Sequence, residues 1–390
     1  MSVQVIKVYL STQLQEQLVG TLAYRDKNIY FEYDPIFLTS NIELSPYKLP
    51  LKSGVMVCDD TVFDGLFGVF ADSLPDGWGK LLLDRYFLKE GVQYSDITPL
   101  DRLGYIGNYG VGALSYRPYI SDIEQKITQI NLDNLASKSM KILNDDSQQD
   151  LEKFLLLGGS SAGARPKVMA QIDQNNNIIS GTQILQPGYD HYIVKFASHL
   201  DPQDIGKIEY LYSLMAKKSK IKMPNTKLLQ NKYFAIQRFD RIEDARVHIH
   251  SVAGLTHSDF RYPTLDYDDL LGLTLHLTKD VKEQIKMFRL AVFNLFTHNR
   301  DDHAKNFSFL LDENNYWKLA PAYDLTFSQG PGGEHSTTYL GEGKNPTQEH
   351  LIKLANKHNI KNANNVILEV KSAIDAFKLQ TQELNIALDQ

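Results

Sequence analysis

The sequence predicts an α+β fold of two lobes, a mixed α/β amino-terminal lobe followed by a mostly α-helical carboxy-terminal lobe. Apolar and polar residues alternate through the first 33 positions, with turn residues at 26–28, which is typical of an antiparallel meander. Beyond position 240 the apolar residues recur at helical spacing, apart from one hairpin at 307–319. A chain of 390 residues that is 43% hydrophobic is long enough to bury two cores.

The elements follow from the spacing of apolar residues and from the turn residues between them. We expect the meander at 3–10, 18–24 and 29–33, then a helix over 78–88 packed on that sheet and a glycine-rich hairpin at 104–116. Further strands are expected at 154–157, 168–172, 191–196 and 233–237, with a helix over 205–218. The predicted domains are 1–120, an amino-terminal subdomain; 121–240, the rest of the amino-terminal lobe; and 241–390, the helical lobe.

Composition excludes several classes of function. The formal net charge of −6 and the pI near 6.0 give no global basic footprint for binding nucleic acid or an anionic membrane. Cys58 is the only cysteine, which excludes an internal disulfide and a cysteine-rich metal site. The chain does not begin with a basic segment before an apolar run, and no apolar stretch reaches the roughly 18 residues of a spanning helix. We therefore expect a cytoplasmic protein.

The strongest chemical signal is the segment 300–306, Arg-Asp-Asp-His-Ala-Lys-Asn. Asp301 stands five positions before Asn306, as in the catalytic loop of protein kinases, where the aspartate accepts the substrate hydroxyl proton and the asparagine binds magnesium. The predicted hairpin then leads to Tyr323 and Asp324, and Asp324 stands where kinases place their second metal ligand. The spacing indicates phosphoryl transfer from ATP.

Other interpretations of these residues remain open at this stage. Taken singly, Asp301 and Asp302 are residues that cap helices or line turns. Asp302 is an alternative base, although it lies only four positions before Asn306. His303 could be a general base or a zinc ligand, but without a second histidine at ligand spacing we favour a supporting or phosphate-contacting role.

Two further segments carry features of a nucleotide site. Kinases use a strand lysine to hold the ATP phosphates and a helix glutamate to orient it, and Lys195 and Glu209 fit these positions. The small residues of 158–167 join two predicted strands and would let backbone N–H groups approach phosphates. Ala164 and Arg165 stand where a Walker loop needs lysine and then serine or threonine, so the loop is of another kind. The glycines at 107, 110 and 112 miss the dinucleotide fingerprint.

These motifs resemble, in order and context, the HipA toxins of bacterial type II toxin–antitoxin modules. The resemblance covers nearly the whole chain and is carried by 19–22, 31–34, 74–79, 160–167, 192–195, 237–241, 301–309 and 320–324. It implies a protein-kinase-like fold related to phosphoinositide kinases, and a serine/threonine kinase that uses ATP and Mg²⁺. Asp76 stands where the family often has glutamate, and Gln237 where its hinge can carry one.

Carried over position by position, the resemblance implies a role for each matching residue. Asp301 is the base, and Asn306 and Asp324 hold magnesium. Ser160 is the implied site of autophosphorylation, with Ser161 as second choice. ATP contacts are implied for Ala162, Gly163, Ala164, Arg165, Lys167, Lys195, Gln237, Arg238, Phe239, His303 and Tyr323.

The resemblance also implies partners. Family members phosphorylate aminoacyl-tRNA synthetases, which halts translation, and a small HipB-like helix-turn-helix antitoxin that binds operator DNA holds them inactive. The acidic balance of this chain agrees with DNA contact only through such a partner. Two alternatives remain: a kinase of small hydroxyl-bearing molecules, and a pseudokinase acting as a binding module or co-repressor.

Overall fold

The computed structural model describes residues 3–12, 15–120, 127–144, 151–158, 163–181 and 184–384. The chain divides into two compact units, the first formed by 1–206, 227–250 and 254–257 and the second by 207–226, 251–253 and 258–390. The first unit mixes sheets with helices and the second is mostly helical, which confirms the predicted α+β fold class. The three predicted domain boundaries stay predictions.

The strands are short and most lie in the first unit. They are β1 (Val5–Ser11), β2 (Glu16–Arg25), β3 (Asn28–Tyr33), β4 (Met56–Val57), β5 (Leu114–Arg117), β6 (Lys167–Asp173), β7 (Ile178–Ser180), β8 (Tyr189–Lys195), β9 (Thr226–Leu229), β10 (Tyr233–Gln237), β11 (Arg241–Ile242), β12 (Ala245–Arg246), β13 (Ile249–Ser251), β14 (Leu265–Asp266), β15 (Ser308–Leu311), β16 (Trp317–Leu319) and β17 (Thr337–Thr338).

The helices are distributed over both units, and the longest belong to the second. They are α1 (Pro35–Leu38), α2 (Gly68–Ala71), α3 (Gly77–Lys89), α4 (Pro99–Ile106), α5 (Leu132–Leu143), α6 (Leu151–Gly158), α7 (Ile205–Lys218), α8 (Val252–Thr256), α9 (Tyr267–Thr278), α10 (Val281–Phe296), α11 (Gln348–Lys357), α12 (Ala363–Asp375) and α13 (Lys378–Glu383). Among the residues described, no helix has the length and apolar character needed to cross a bilayer.

Two five-stranded sheets organise the first unit. One has the order β4-β3-β2-β1-β5 and contains the predicted antiparallel meander; the other has the order β7-β6-β8-β10-β9. Alternation explains the meander, because Ile6, Val8 and Leu10 of β1 are buried while Val5 is exposed. The predicted strands β6, β8 and β10 and the predicted helix α7 are likewise confirmed.

Helix α3 packs in a place that the sequence did not predict. Its Leu82, Leu83 and Phe87 belong to one buried cluster with Val168 of β6 and Val194 of β8. The helix is therefore part of the core on the second sheet, and the expectation that it packs on the meander was wrong. An apolar stripe shows that a helix is buried but does not identify the sheet that receives it.

Two segments have a different structure from the predicted one. Residues 151–158 form helix α6, with Leu151, Phe154 and Leu155 buried at helical spacing, so the strand expected at 154–157 was wrong. A short apolar run does not distinguish strand from helix. The hairpin expected at 104–116 was also wrong, because a capping box between Thr98 and Asp101 starts helix α4 there, and only the segment from Leu114 is a strand.

The second unit positions the catalytic segment between long helices and a hairpin. Helices α9 and α10 begin at aspartate caps, Asp266 and Asp280, each accepting a backbone N–H of its own first turn. Strands β15 and β16 pair antiparallel, with Phe309 opposite Leu319, which confirms the predicted hairpin. Strands β14 and β17 form a short parallel pair, with Leu265 opposite Thr337.

Candidate active site

The predicted catalytic loop leads from α10 into the β15–β16 hairpin. Helix α10 ends at Phe296, and residues 304–306 form one turn of 3-10 helix directly before β15. The side-chain amide of Asn306 donates a hydrogen bond to the backbone carbonyl of Asp301 at 2.6 Å. This bond closes the loop between the two residues whose spacing predicted the site. Because the amide nitrogen makes this bond, the amide oxygen of Asn306 is the atom oriented to accept from, or bind, another group.

The two neighbouring aspartates occupy opposite environments. The Asp301 side chain is 59% exposed. Asp302 is completely buried, and its Oδ2 accepts hydrogen bonds from the hydroxyl of Tyr267 at 2.8 Å and from Nδ1 of His335 at 2.9 Å. Its Oδ1 accepts from the backbone N–H of Thr337 at 3.1 Å. Asp302 is thus an internal acceptor, whereas Asp301 faces solvent.

A buried chain of hydrogen bonds extends from Asp302 to the backbone of Asp324. The amide of Asn294 donates to the hydroxyl of Tyr267 at 2.8 Å, and the amide of Asn299 donates to Asn294 at 3.0 Å and to the carbonyl of Asp324 at 3.4 Å. Burial, and then the charge of Asp302, raise the pKa of Tyr267 well above its ordinary value, so its hydroxyl keeps the proton that it donates. The network supports both predicted metal-binding segments.

The second metal-ligand segment is fixed by a tyrosine. The hydroxyl of Tyr323 donates to the carbonyl of Lys305 at 2.7 Å and lies 2.5 Å from Oγ of Ser308. Asp324 has a backbone φ of +51°, in the left-handed region that non-glycine residues adopt rarely and often at functional sites. Tyr323 therefore connects the catalytic loop to the Asp324 segment, and its predicted contact with ATP stays a prediction.

His303 lies beside the exposed aspartate. Its Nε2 is 3.8 Å from Oδ1 of Asp301, and its ring centroid is 5.5 Å from that of Phe260. The ammonium group of Lys305 lies 4.5 Å from the centroid of the same Phe260 ring, a cation–π distance. Within the described part of the chain, no group of three or more His, Cys, Asp or Glu residues could hold a metal ion.

The predicted pair of Lys195 and Glu209 is divided between the units. Lys195 ends β8 in the first unit, whereas Glu209 lies in α7 within the second unit and is 5% exposed. Their ion pair therefore stays a prediction.

The second sheet of the first unit places two predicted ATP ligands side by side. Tyr192, Val194 and Phe196 point into the buried core, so alternation puts Lys195 on the opposite face of β8. Lys167 of the antiparallel neighbour β6 stands directly opposite Lys195. Two lysines on one face of a sheet bring positive charge together, which suits the binding of a phosphate group.

Only part of the predicted phosphate loop belongs to the described residues. Ser160, Ser161 and Ala162 lie outside them. Gly163 has a φ of +94°, and a Cβ atom on it would collide with the ammonium group of Lys167. The end of the lysine side chain could move aside, but the positive φ favours glycine at this position. The loop connects α6 to β6, not two strands as expected.

Arg165 has an intramolecular partner in the described structure. Its Nη2 lies 2.9 Å from Oδ1 of Asp201, which is largely buried, and Oδ2 of the same aspartate accepts from the N–H of Ser198 at 2.8 Å. The guanidinium thus joins the end of the phosphate loop to the segment after β8. An ATP contact by Arg165 stays a prediction.

The predicted adenine hinge begins where β10 ends. The N–H of Arg238 donates to the carbonyl of His191 at 2.8 Å, and its guanidinium donates to both carboxylate oxygens of Asp240 at 2.9 and 2.6 Å. Although burial opposes ionisation of Asp240, Arg238 and Arg241 hold its pKa well below the usual range. The guanidinium of Arg238 is therefore held within the first unit, and a contact of Arg238 with ATP stays a prediction. Gln237 and Phe239 flank it and are half-buried.

Sequence reasoning missed His191 as a candidate site residue. It lies four positions before Lys195 on the same face of β8, and its Nε2 is buried with no hydrogen-bond partner among the described residues. Burial, then the charges of Arg238 and Arg241, lower the pKa of His191 to about 4, so the ring is neutral. The period of two along the strand was the signal that could have identified it.

Two family models match the chain in sequence order. Residues 10–117 match the model described as HipA N-terminal domain, and residues 159–377 match the one described as HipA-like C-terminal domain. Among solved structures the chain is similar to "Shewanella oneidensis MR-1 Toxin Antitoxin System HipA, HipB and its operator DNA complex", with 18% identity, a TM-score of 0.68, and coverage of 96% of this chain and 91% of that one.

Two other similarities are more limited. The proinflammatory kinase CtkA of Helicobacter pylori has 15% identity and a TM-score of 0.35 over 54% of this chain and 82% of that one. A relative from Haemophilus influenzae named "Putative kinase" is 28% identical over 102 residues, which are 24% of this chain and 30% of that protein. The match therefore spans less than a third of that relative's length. Because the two family models account for both halves of the chain in the order that its motifs indicated, the chain belongs to the HipA family.

Proposed function

We propose that this chain is an ATP- and magnesium-dependent serine/threonine protein kinase that acts in the cytoplasm as the toxin of a toxin–antitoxin pair. One observation carries the kinase proposal. Asp301 is exposed in a loop closed by Asn306, while its neighbour Asp302 is buried and hydrogen-bonded on both carboxylate oxygens. A general base must reach the substrate hydroxyl, which Asp301 can do and Asp302 cannot.

Each of the site residues has its own role in the proposed phosphoryl transfer. Asp301 accepts the proton of the substrate hydroxyl while that oxygen bonds to the γ-phosphorus of ATP and the bond to the ADP oxygen breaks. Lys195 and Lys167 hold the phosphates by charge, and their opposition across β6 and β8 supports this role. The hinge at 237–239 contacts adenine through backbone groups.

Asn306 and Asp324 would hold magnesium, and their chemistry fits that ion. Both offer oxygen, the donor that Mg²⁺ prefers, and the bond from the Asn306 amide nitrogen to Asp301 leaves the amide oxygen as the ligand. Bound magnesium neutralises charge on the phosphates. Asn299 fixes the backbone of Asp324 from within the unit.

Labelling of a cell lysate with γ-labelled ATP tests this function. The purified wild-type chain should label protein on serine or threonine, and Asp301→Ala should not. Label found only in small molecules would favour a small-molecule kinase instead. No transfer by folded wild-type protein at saturating Mg-ATP would favour a pseudokinase and contradict the proposal.

The toxin proposal rests on family membership. The similar Shewanella structure contains HipA together with HipB and operator DNA, which supports a HipB-like helix-turn-helix antitoxin as partner here, with DNA contacted only through it. The protein substrate in this proposal is an aminoacyl-tRNA synthetase. Induced wild-type chain should stop translation and growth, and Asp301→Ala should relieve both. Normal protein synthesis at high levels of active kinase would contradict the toxin role.

Autophosphorylation in the phosphate loop is a further part of the proposal. A phosphoserine at Ser160, or at Ser161, would carry about −1.5 to −2 charges and repel the phosphates of ATP. It would also compete for Lys167, so the modification should inhibit the enzyme. Mass spectrometry after incubation with Mg-ATP should find phosphate on this loop, together with weaker ATP binding. An unmodified loop in active enzyme would contradict it.

A further inference from the structure

The turn formed by Asp76, Gly77 and Trp78, here called the 76–78 turn, makes hydrogen bonds to both the backbone N–H and the backbone carbonyl of Gly163. The carboxylate of Asp76 accepts a hydrogen bond from the backbone N–H of Gly163. In return, the backbone N–H of Trp78 donates to the carbonyl of Gly163 at 3.0 Å. Both backbone polar groups of Gly163, which belong to two successive peptide units of the predicted phosphate loop, are thus hydrogen-bonded to the turn.

The position of Asp76 makes this contact unusual. Asp76 is the N-cap residue of α3, where an aspartate normally accepts an N–H of its own helix. Here the side chain makes no such bond and is directed to Gly163 instead. The N–H of Trp78, one of the first-turn groups that a cap would satisfy, donates to the carbonyl of Gly163 instead. The first turn of α3 and the loop therefore supply each other's hydrogen-bond partners.

Steric fit at the same place is equally close. Gly77 has a φ of +44°, and a Cβ atom on it would lie 2.6 Å from Cα of Ala164 and 2.6 Å from the carbonyl oxygen of Gly163. Any other residue at position 77 would push the loop away. Gly163 in turn passes over the ammonium group of Lys167. Within the first unit, the loop at Gly163 therefore lies between the 76–78 turn and Lys167, one of the predicted phosphate ligands.

We propose that Asp76 is a positioning residue for ATP, through which the amino-terminal subdomain shapes the phosphate loop. The inference rests on the proposed use of ATP and adds a role for residues that the catalytic motif does not include. A glycine-containing loop loses conformational entropy when it is ordered. Because the 76–78 turn orders the loop at Gly163 before nucleotide binds, the entropy lost in ordering it does not weaken the affinity for ATP. Asp76 itself touches neither ATP nor the reacting atoms.

Kinetics with Asp76 variants test the inference. Loss of a hydrogen bond to a charged group should raise the KM for ATP by about tenfold to a hundredfold in Asp76→Ala, with kcat at saturating ATP nearly unchanged. The KM of Asp76→Asn for ATP should lie between those of wild type and Asp76→Ala. Asp76→Glu, which keeps a carboxylate, should have a KM close to that of wild type. The matched control is Asp34→Ala, since Asp34 also caps a helix and accepts a backbone N–H, that of Ile36 at 2.8 Å, away from the loop.

Hydrogen exchange of the Gly163 amide separates this inference from the kinase proposal, because it needs no nucleotide. The amide should exchange slowly in wild type and in Asp34→Ala, and at least tenfold faster in folded Asp76→Ala. Equal exchange in wild type and Asp76→Ala, or an unchanged KM for ATP, would overturn the inference. Absence of phosphoryl transfer by wild type with the expected exchange difference would overturn only the proposed function.

Discussion

Exchanging each of the two neighbouring aspartates for asparagine should separate catalysis from stability. In Asp302→Asn the new amide group meets the buried donors of Tyr267, His335 and Thr337, which now bond to the carboxylate. One amide oxygen cannot serve the donors on both sides of the carboxylate. At about 1–3 kcal/mol for each buried group left unsatisfied, the free energy of unfolding should fall by about 2–5 kcal/mol.

Asp301→Asn should have the opposite effect. Its side chain is 59% exposed, so the free energy of unfolding should change by no more than about 0.5 kcal/mol. The rate of phosphoryl transfer should fall by about a hundredfold or more, because the transition state loses its proton acceptor and a favourable charge.

Denaturant unfolding and initial rates with γ-labelled ATP check both variants. An Asp302→Asn protein as stable as wild type but inactive, together with an active Asp301→Asn protein, would contradict both expectations. In that case Asp302 would be the base, and its buried position would not describe the catalytic state.

The remaining predictions concern the nucleotide face, the metal and pH. Lys195→Met should weaken ATP binding at least about tenfold in a titration without unfolding the protein, because the phosphates lose one of their two cationic contacts. The control variant Lys227→Met, on the same sheet, should bind ATP normally. Asp324→Asn should raise the Mg²⁺ concentration needed for half-maximal activity at least about tenfold; an unchanged Mg²⁺ titration would contradict its role as ligand. Burial lowers the pKa of His248 to about 4, below the unfolded value near 6.5, so its contribution to stability is complete above pH 6.5 and is lost as pH falls towards 4. The free energy of unfolding should be lower at pH 5 than at pH 7.5, by on the order of 1 kcal/mol per pH unit. This loss should be smaller in His248→Gln, and equal losses in the two proteins would contradict the prediction.

Local patterns identified several elements well. Strands β8 and β10 and helix α7 were predicted with bounds within two residues of those observed, because short runs rich in aromatic and β-branched residues favour strands and helical spacing of apolar residues favours a helix. The family was confirmed as well, since the motifs at both ends of the chain are in sequence order. Alternation along β8 also contained the information that Lys195 faces away from the core.

Contacts between distant residues could not be predicted from these patterns. The sheet on which α3 packs is decided by contacts between residues far apart in the sequence, which local spacing does not show. Helix α6 was mistaken for a strand because four apolar residues fit the period of either element. The bond from His335 to Asp302 joins residues 33 positions apart, and nothing in the segment around His335 marks it. The sequence could therefore favour Asp301 over Asp302 by spacing alone, while burial supplies the physical reason.

If the chain transfers phosphate from ATP to protein with Asp301 as the base, phosphorylation in cells should depend on this one carboxylate. Phosphoproteomics after brief induced expression should compare wild type with Asp301→Asn at equal protein level. New phosphoserine or phosphothreonine sites should appear in wild-type cells and be absent from Asp301→Asn cells. The same sites in both, or none in cells containing folded wild-type protein, would contradict it.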